Sequence, residues 1–138
     1  MLKNHADPVK ISQGIDIVSV PRMKLAAERQ GPRFLDRIFT PEERRYCESK
    51  RMKYEHYAAR FAAKEAAMKA FEIRRQNRFR FREIEIRRRP TGKPVIHLSR
   101  EARKRFGLPM RCEIEMSMAH EREYAVATVL LLVPAGKS

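Results

Sequence analysis

The chain has 138 residues, with 31 Lys+Arg against 17 Asp+Glu for a net charge of +14. That length fits one domain spanning residues 1–138, and 43% apolar residues are enough for a core. The basic excess is spread along the chain, so the expected partners are anionic: an acidic protein, a polyphosphate ligand or a nucleic acid.

Other classes are excluded on the same grounds. The longest apolar run, Tyr124 to Val133, is too short to cross a bilayer. Met1 to Lys10 has no apolar centre and carries His5, Asp7 and Pro8, so no signal peptide and no membrane association are expected. Cys47 and Cys112 form no CxxC and have no His at metal spacing, which argues for two reduced thiols. A cytoplasmic protein is the expectation.

In chain order, residues 1–10 read as a loose lead-in. Gln13 to Val20 is β-branched, short and opened by Gly14, which predicts a strand with Asp16 inside an apolar run. Arg22 to Arg29 predicts a helix entered at Pro21 and stopped by Gly31-Pro32, with a short turn over Phe34 to Ile38. Thr40-Pro41-Glu42-Glu43 has the chemistry of a capping box and starts a helix to about Ser49. A long helix follows from about Tyr54 to Glu72. Glu83 to Arg87 alternates as a strand with one wet face, Pro90 to Pro94 is turn chemistry, and Val95 to Leu98 completes a hairpin. Ser99 caps a short helix ended by Gly107. Arg111 to Met118 alternates again, Glu121-Arg122 turns, and Tyr124 to Val133, apolar on both faces, predicts a central strand. One strand, a helical half and a mostly antiparallel strand-rich half define an α+β chain.

The long helix is the most informative element. At roughly 100° per residue, Ala59, Ala63, Ala66 and Ala70 form one narrow stripe that permits close approach of another element. Glu65 and Lys69 lie beside it. Taken alone they read as an ordinary i,i+4 pair, stabilising by about 0.2–0.5 kcal/mol. Asp16 reads either as an edge-strand residue facing water or as a buried carboxylate that needs a partner. Two carboxylates on separate rigid elements suit Mg²⁺, which takes one or two acids plus waters and phosphates. His120 sits at a hairpin end, where an exposed turn residue is the ordinary reading. His5, His56 and His97 show no ligand spacing and read as surface or structural. No P-loop, dinucleotide fingerprint or Gly-x-Ser-x-Gly elbow is present.

The run Arg74 to Arg82 interleaves Arg with Phe79 and Phe81, a composition that can stack on bases. A solvated loop with its Phe residues turned inward is the stronger reading, so nucleic acid is not the expected partner. Arg22, Met23, Arg33, Phe34 and Arg37 form a second basic, amphipathic patch. With Met and Phe exposed, it would suit docking to an acidic helix.

Gly14-Ile15-Asp16-Ile17-Val18, Arg60-Phe61-Ala62-Ala63-Lys64-Glu65-Ala66 with Lys69-Ala70, Gly92-Lys93-Pro94 and Ser117-Met118-Ala119-His120 occur in this order. The set resembles the holo-[acyl-carrier-protein] synthases, the small 4′-phosphopantetheinyl transferases of bacterial lipid synthesis, over roughly residues 13 to 133. The resemblance implies that family's fold, a mostly antiparallel sheet packed on the long alanine-rich helix. It implies transfer of 4′-phosphopantetheine from coenzyme A to a serine of an apo acyl carrier protein, with release of adenosine 3′,5′-bisphosphate. Asp16 and Glu65 fall on the Mg²⁺ positions, Lys69 on the lysine near the pyrophosphate, and Arg60 and His120 on contacts to the nucleotide's phosphates. Glu65 and Lys69 become the catalytic candidates, with Glu65 or a water on the ion as base. Arg22, Met23, Arg33, Phe34 and Arg37 fall in the region that grips the carrier. A homotrimer with each site at a subunit boundary is also implied.

Three departures stand out. Met68 replaces a usual serine, Phe71-Glu72-Ile73-Arg74-Arg75 replaces a Gly-Thr-Gly-like loop, and Ala119 replaces a frequent hydroxyl residue. The missing glycine loop leaves open a relative that binds a carrier without catalysis, and the basic residues 74–89 leave open a nucleic-acid-binding module.

Overall fold

A computed structural model describes residues 9–74 and 80–134. The first strand, β1, runs from Val9 to Ser19, so Val9 and Lys10 belong to the sheet and not to a loose lead-in. Val20, expected in that strand, instead opens helix α1 (Val20–Gln30), whose N-terminus is capped by the Ser19 hydroxyl. Helices α2 (Pro32–Ile38) and α3 (Pro41–Glu48) follow, then α4 (Lys53–Ala70). The Thr40–Glu43 capping box forms in full at the start of α3. A single 3₁₀ turn over Phe81–Glu83 leads into β2 (Glu85–Arg88), which pairs with β3 (Pro94–His97) as an antiparallel hairpin. Helix α5 (Arg100–Arg105), β4 (Glu113–His120) and β5 (Tyr124–Pro134) complete the chain.

The larger sheet has the order β1-β5-β4 and is antiparallel throughout, with β5 central as its two apolar faces require. The fold is therefore α+β, with α4 lying across the sheet. Ala59, Ala63, Ala66 and Ala70 are wholly buried, and the stripe works as expected. Gly14 is the reason β1 can settle on it. A Cβ at this position would stand 2.0 Å from the Ala66 carbonyl oxygen, 2.8 Å from the Ala70 amide nitrogen and 2.9 Å from the Lys69 Cβ. Two of these obstacles are backbone and cannot rotate away. Next to it, the Ser12 hydroxyl donates to the Ala70 carbonyl at 2.7 Å, tying strand to helix C-terminus. We expect Gly14→Ala to lift β1 from α4 and to cost about 3 kcal/mol of unfolding free energy, at the upper end of ordinary overpacking. Denaturant titration at fixed protein concentration checks it.

Helix α4 ends in a Schellman motif without a glycine. The Ile73 amide donates to the Met68 carbonyl and the Glu72 amide to the Lys69 carbonyl, while Glu72 takes the left-handed conformation at φ 57°. Met68 and Ile73 join the same apolar cluster, as the motif requires. The local cap thus forms without a glycine. Residues 75–79 of the basic run lie outside the described residues. Cys47 and Cys112 are both buried free thiols, and burial pushes the Cys47 thiol up to about 12, so it packs as an apolar side chain.

Candidate active site

The even-numbered residues of β1 face α4, so after Ser12 and Gly14 comes Asp16, pointing toward the last two turns of the helix. Its Oδ1 accepts from the Lys69 ammonium at 3.2 Å, and the same ammonium donates to the Ile15 carbonyl at 2.8 Å. Lys69 is 54% exposed whereas the Asp16 side chain is 20% exposed, so the cation stands at a mouth and the acid on a wall. Asp16 is thus neither a water-facing edge residue nor an unpaired buried charge. Asp16, Glu65 and Lys69 line one cavity of about 510 Å³, walled further by Phe61, Ser19 and Phe34. Helix spacing sets Glu65 and Lys69 one turn apart, and the Gly14 contact brings the strand's acid to them.

Arg22 and Met23 from α1 line the same cavity. Met23, expected as an exposed docking residue, is buried: position 23 falls on the inner face of α1 beside Ala27. Phe34 is half-buried, and Arg33 and Arg37 are exposed. These last three line a neighbouring groove with Arg80 and Arg82.

Arg60 is placed elsewhere, on the N-terminal half of α4. It is 1% exposed, with its guanidinium 4.1 Å from the Tyr46 ring centroid, and it lines a separate cavity of about 450 Å³ with Arg87 and Arg88. Its Nε and Nη1 are buried with no hydrogen-bond partner among the described residues. Buried donors left in that state are rare and call for an anion or water. His120, at the end of β4, is held by Glu55 at 2.9 Å and meets His56 edge to face at 4.6 Å between ring centroids.

His56 was missed from sequence because only the tertiary fold brings its ring to His120. Burial first, then the charges of His120, Arg60, Lys50 and Arg88, lower its pKa to about 4. The folded chain therefore binds fewer protons than the unfolded chain between about pH 6.5 and 4. Stability should fall as pH drops through that window, and His56→Leu should flatten the slope. Thermal midpoints measured from pH 7 to 4 in both proteins check this.

Asp16 and Glu65 could hold a divalent ion. They are hard oxygen donors on a strand and a helix lining one cavity, and the described residues contain no cluster of three or more metal-ligating side chains. That donor set is too small for a closed protein cage and fits Mg²⁺ completed by waters and phosphate oxygens.

The architecture is that of a small α+β domain with its acids and lysine gathered in one strand–helix cavity. The chain belongs to the 4′-phosphopantetheinyl transferase superfamily, whose family model matches residues 12–129. Its relatives are holo-[acyl-carrier-protein] synthases. That of Koribacter versatilis is 44% identical over 122 residues, covering 88% of this chain and 97% of the relative. That of Ruminiclostridium cellulolyticum is 43% identical over 119 residues, covering 86% and 89%. Among solved structures, the ACPS–CoA complex of Chronobacterium ammoniagenes superposes with a TM-score of 0.79 at 30% identity, covering 90% of this chain and 98% of that one. The Helicobacter pylori synthase in complex with coenzyme A superposes at 0.74 with 32% identity, covering 89% and 99%.

Proposed function

We propose that Asp16, Glu65 and Lys69 form the centre at which this holo-[acyl-carrier-protein] synthase moves 4′-phosphopantetheine from coenzyme A to a serine of an apo acyl carrier protein. The observation that carries the assignment is the single cavity shared by the strand's acid, the helix's acid and the helix's lysine. The serine oxygen forms a bond to the β-phosphorus, the bond from that phosphorus to the bridging oxygen breaks, and adenosine 3′,5′-bisphosphate leaves with the bridging oxygen. Glu65, or a water beside it, takes the serine proton. The Lys69 ammonium, already at the cavity mouth, neutralises charge gathering on the departing phosphate. Mg²⁺ held by Asp16 and Glu65 would supply Lewis-acid neutralisation of the pyrophosphate.

Arg60 and His120 are the proposed contacts to the phosphates of the nucleotide, and the unpartnered guanidinium nitrogens of Arg60 support that role. Arg60 lines a different cavity from Asp16 and Lys69 and lies more than two helical turns before Lys69 on α4, while His120 stands at the end of β4. A homotrimer in which a neighbouring copy completes each site reconciles the two groups. The outer face of the sheet supplies a surface for it: Ile11, Ile15 and Ile17 are each more than half exposed, beside Val126, Leu130 and Leu132 of β5. No helix among the described residues is long and apolar enough to cross a membrane, and a cytoplasmic place of work accords with the acidic carrier and coenzyme A as clients.

The test is direct. Incubation with coenzyme A, Mg²⁺ and apo carrier should add the mass of phosphopantetheine to the carrier, and chelation of the metal should stop it. Carrier binding with no mass gain would instead identify a non-catalytic relative. Sedimentation equilibrium reads the trimer.

A further inference from the structure

Arg60 is buried without a carboxylate to hold it. Its Nε and Nη1 have no hydrogen-bond partner, and the side chain forms no ion pair among the described residues. What holds it is a ring: the guanidinium carbon lies 4.1 Å from the Tyr46 ring centroid. The Arg88 guanidinium and the Lys50 ammonium stand 4.8 Å and 4.7 Å from the same centroid. Three cations therefore converge on one half-buried tyrosine. The carboxylates lining this cavity do not balance them, because Glu43 is bound by Lys64 and Glu42 by Arg45. His56, one turn before Arg60 on α4, meets the Tyr46 ring edge to face at 5.6 Å and the His120 ring at 4.6 Å. Arg60 and His120, the side chains proposed for the nucleotide's phosphates, are thus joined through two rings.

We propose that Tyr46 is a positioning residue for coenzyme A: its ring face fixes the Arg60 guanidinium without consuming a donor or cancelling its charge, and its contact with His56 ties Arg60 and His120 into one cradle. The proposal rests on the transferase reading above. A buried arginine is ordinarily paired. A carboxylate partner would hold the side chain equally well, but it would take the N–H groups and neutralise the charge that a phosphate needs. A ring attracts the cation through its quadrupole instead, so Nε and Nη1 stay available. The neighbouring Lys50 and Arg88 charges repel Arg60 until a polyanion enters, and a stiff aromatic face resists that repulsion where an aliphatic side chain would not. The Tyr46 hydroxyl makes no hydrogen bond among the described residues, so the ring carries the role.

The test compares full-length wild type, Y46L, Y46F, R60M and Y46L/R60M. For Y46L we expect KM for coenzyme A to rise about tenfold, with kcat and KM for apo carrier within about twofold of wild type. Y46F keeps the ring and should stay within about twofold of wild type throughout. Beside R60M, Y46L should add little, because the ring acts through the guanidinium it holds. A merely structural tyrosine would add its full cost in both backgrounds. Binding of adenosine 3′,5′-bisphosphate, followed by calorimetry, gives the same comparison without turnover. Should Y46L melt well below wild type, Y46M, with its longer and more adaptable side chain, takes its place. If wild type turns out not to transfer, nucleotide binding that weakens in Y46L and holds in Y46F still supports the ring while the transferase reading falls. Coenzyme A KM and nucleotide affinity unchanged in Y46L would overturn the proposal and leave the transfer centre standing. So would an equal loss in Y46F, or a Y46L loss that persists in full beside R60M. A wild type that binds no nucleotide would overturn both.

Discussion

Glu65→Gln should lower the rate of phosphopantetheine transfer by about a thousand-fold, within the span expected when one group serves both as charge partner and as proton acceptor. Glutamine keeps the length and planarity of the side chain, so the cavity formed by β1 and α4 should be preserved. What disappears is the negative charge and the basic oxygen. Two readouts separate this from damage to the fold. The thermal midpoint should stay within a few degrees, because Glu65 is only half-buried at a cavity wall. Mg²⁺ affinity in the absence of substrate, measured by calorimetry, should fall, and Asp16→Asn should lower it as well, because both acids are proposed to hold the ion. Transfer within tenfold of wild type in Glu65→Gln would remove the carboxylate from the chemistry and sink the assignment of this centre.

Much of this centre could be read from the sequence because its parts are local. The i,i+4 spacing of Glu65 and Lys69, the alanine stripe and the Thr40–Glu43 capping box all depend on a few adjacent residues, and each appears in the fold as expected. The central position of β5 followed from its two apolar faces. What stayed hidden depends on contacts far apart in sequence. Gly14 reads as a strand opener, yet its function is to admit the backbone of α4 so closely that a Cβ there would stand 2.0 Å from the Ala66 carbonyl oxygen. Met23 sits among basic residues, and only the packing of α1 reveals that it faces inward. Arg60 gives no sign in the sequence of its burial against Tyr46, since buried arginines are rare. Phe81 reads as turned inward and is half-buried, but its partner Phe61 lies twenty residues earlier. The cap at Glu72 forms through backbone amides and without the glycine that ordinarily marks such a cap in a sequence.

The strongest hidden contact is that of Lys64, which the sequence shows only as one letter of the Arg60–Ala66 block. Its ammonium is wholly buried and donates to Glu43 Oε1 at 2.8 Å, the Ile84 carbonyl at 2.7 Å and the Phe81 carbonyl at 3.1 Å. All three of its protons are therefore used. Glu43 is equally buried: Oε1 also accepts from the Thr40 amide at 2.8 Å, and Oε2 accepts from the Ile86 amide at 2.7 Å. One carboxylate and one ammonium thus join α3, α4, the 3₁₀ turn and β2. Burial lowers the Lys64 pKa, with the adjacent Glu43 charge opposing it. Lys64→Met fills the same volume but strands a carboxylate and two carbonyls in the core. We expect it to cost about 3–5 kcal/mol, the penalty of breaking a buried pair from one side. Lys64→Met with Glu43→Gln should cost less than the sum of the two single changes, since the amide no longer carries a buried charge. The 3₁₀ turn also carries Phe81 against Phe61, so transfer activity should fall along with stability in the single variant and recover in part in the double one. Guanidinium unfolding at matched protein concentration measures the first effect, and the mass assay the second. A loss under about 1 kcal/mol in Lys64→Met would mean that the interior rearranges to solvate Glu43, and the pair would then not be the clamp that fixes the turn beside the catalytic cavity.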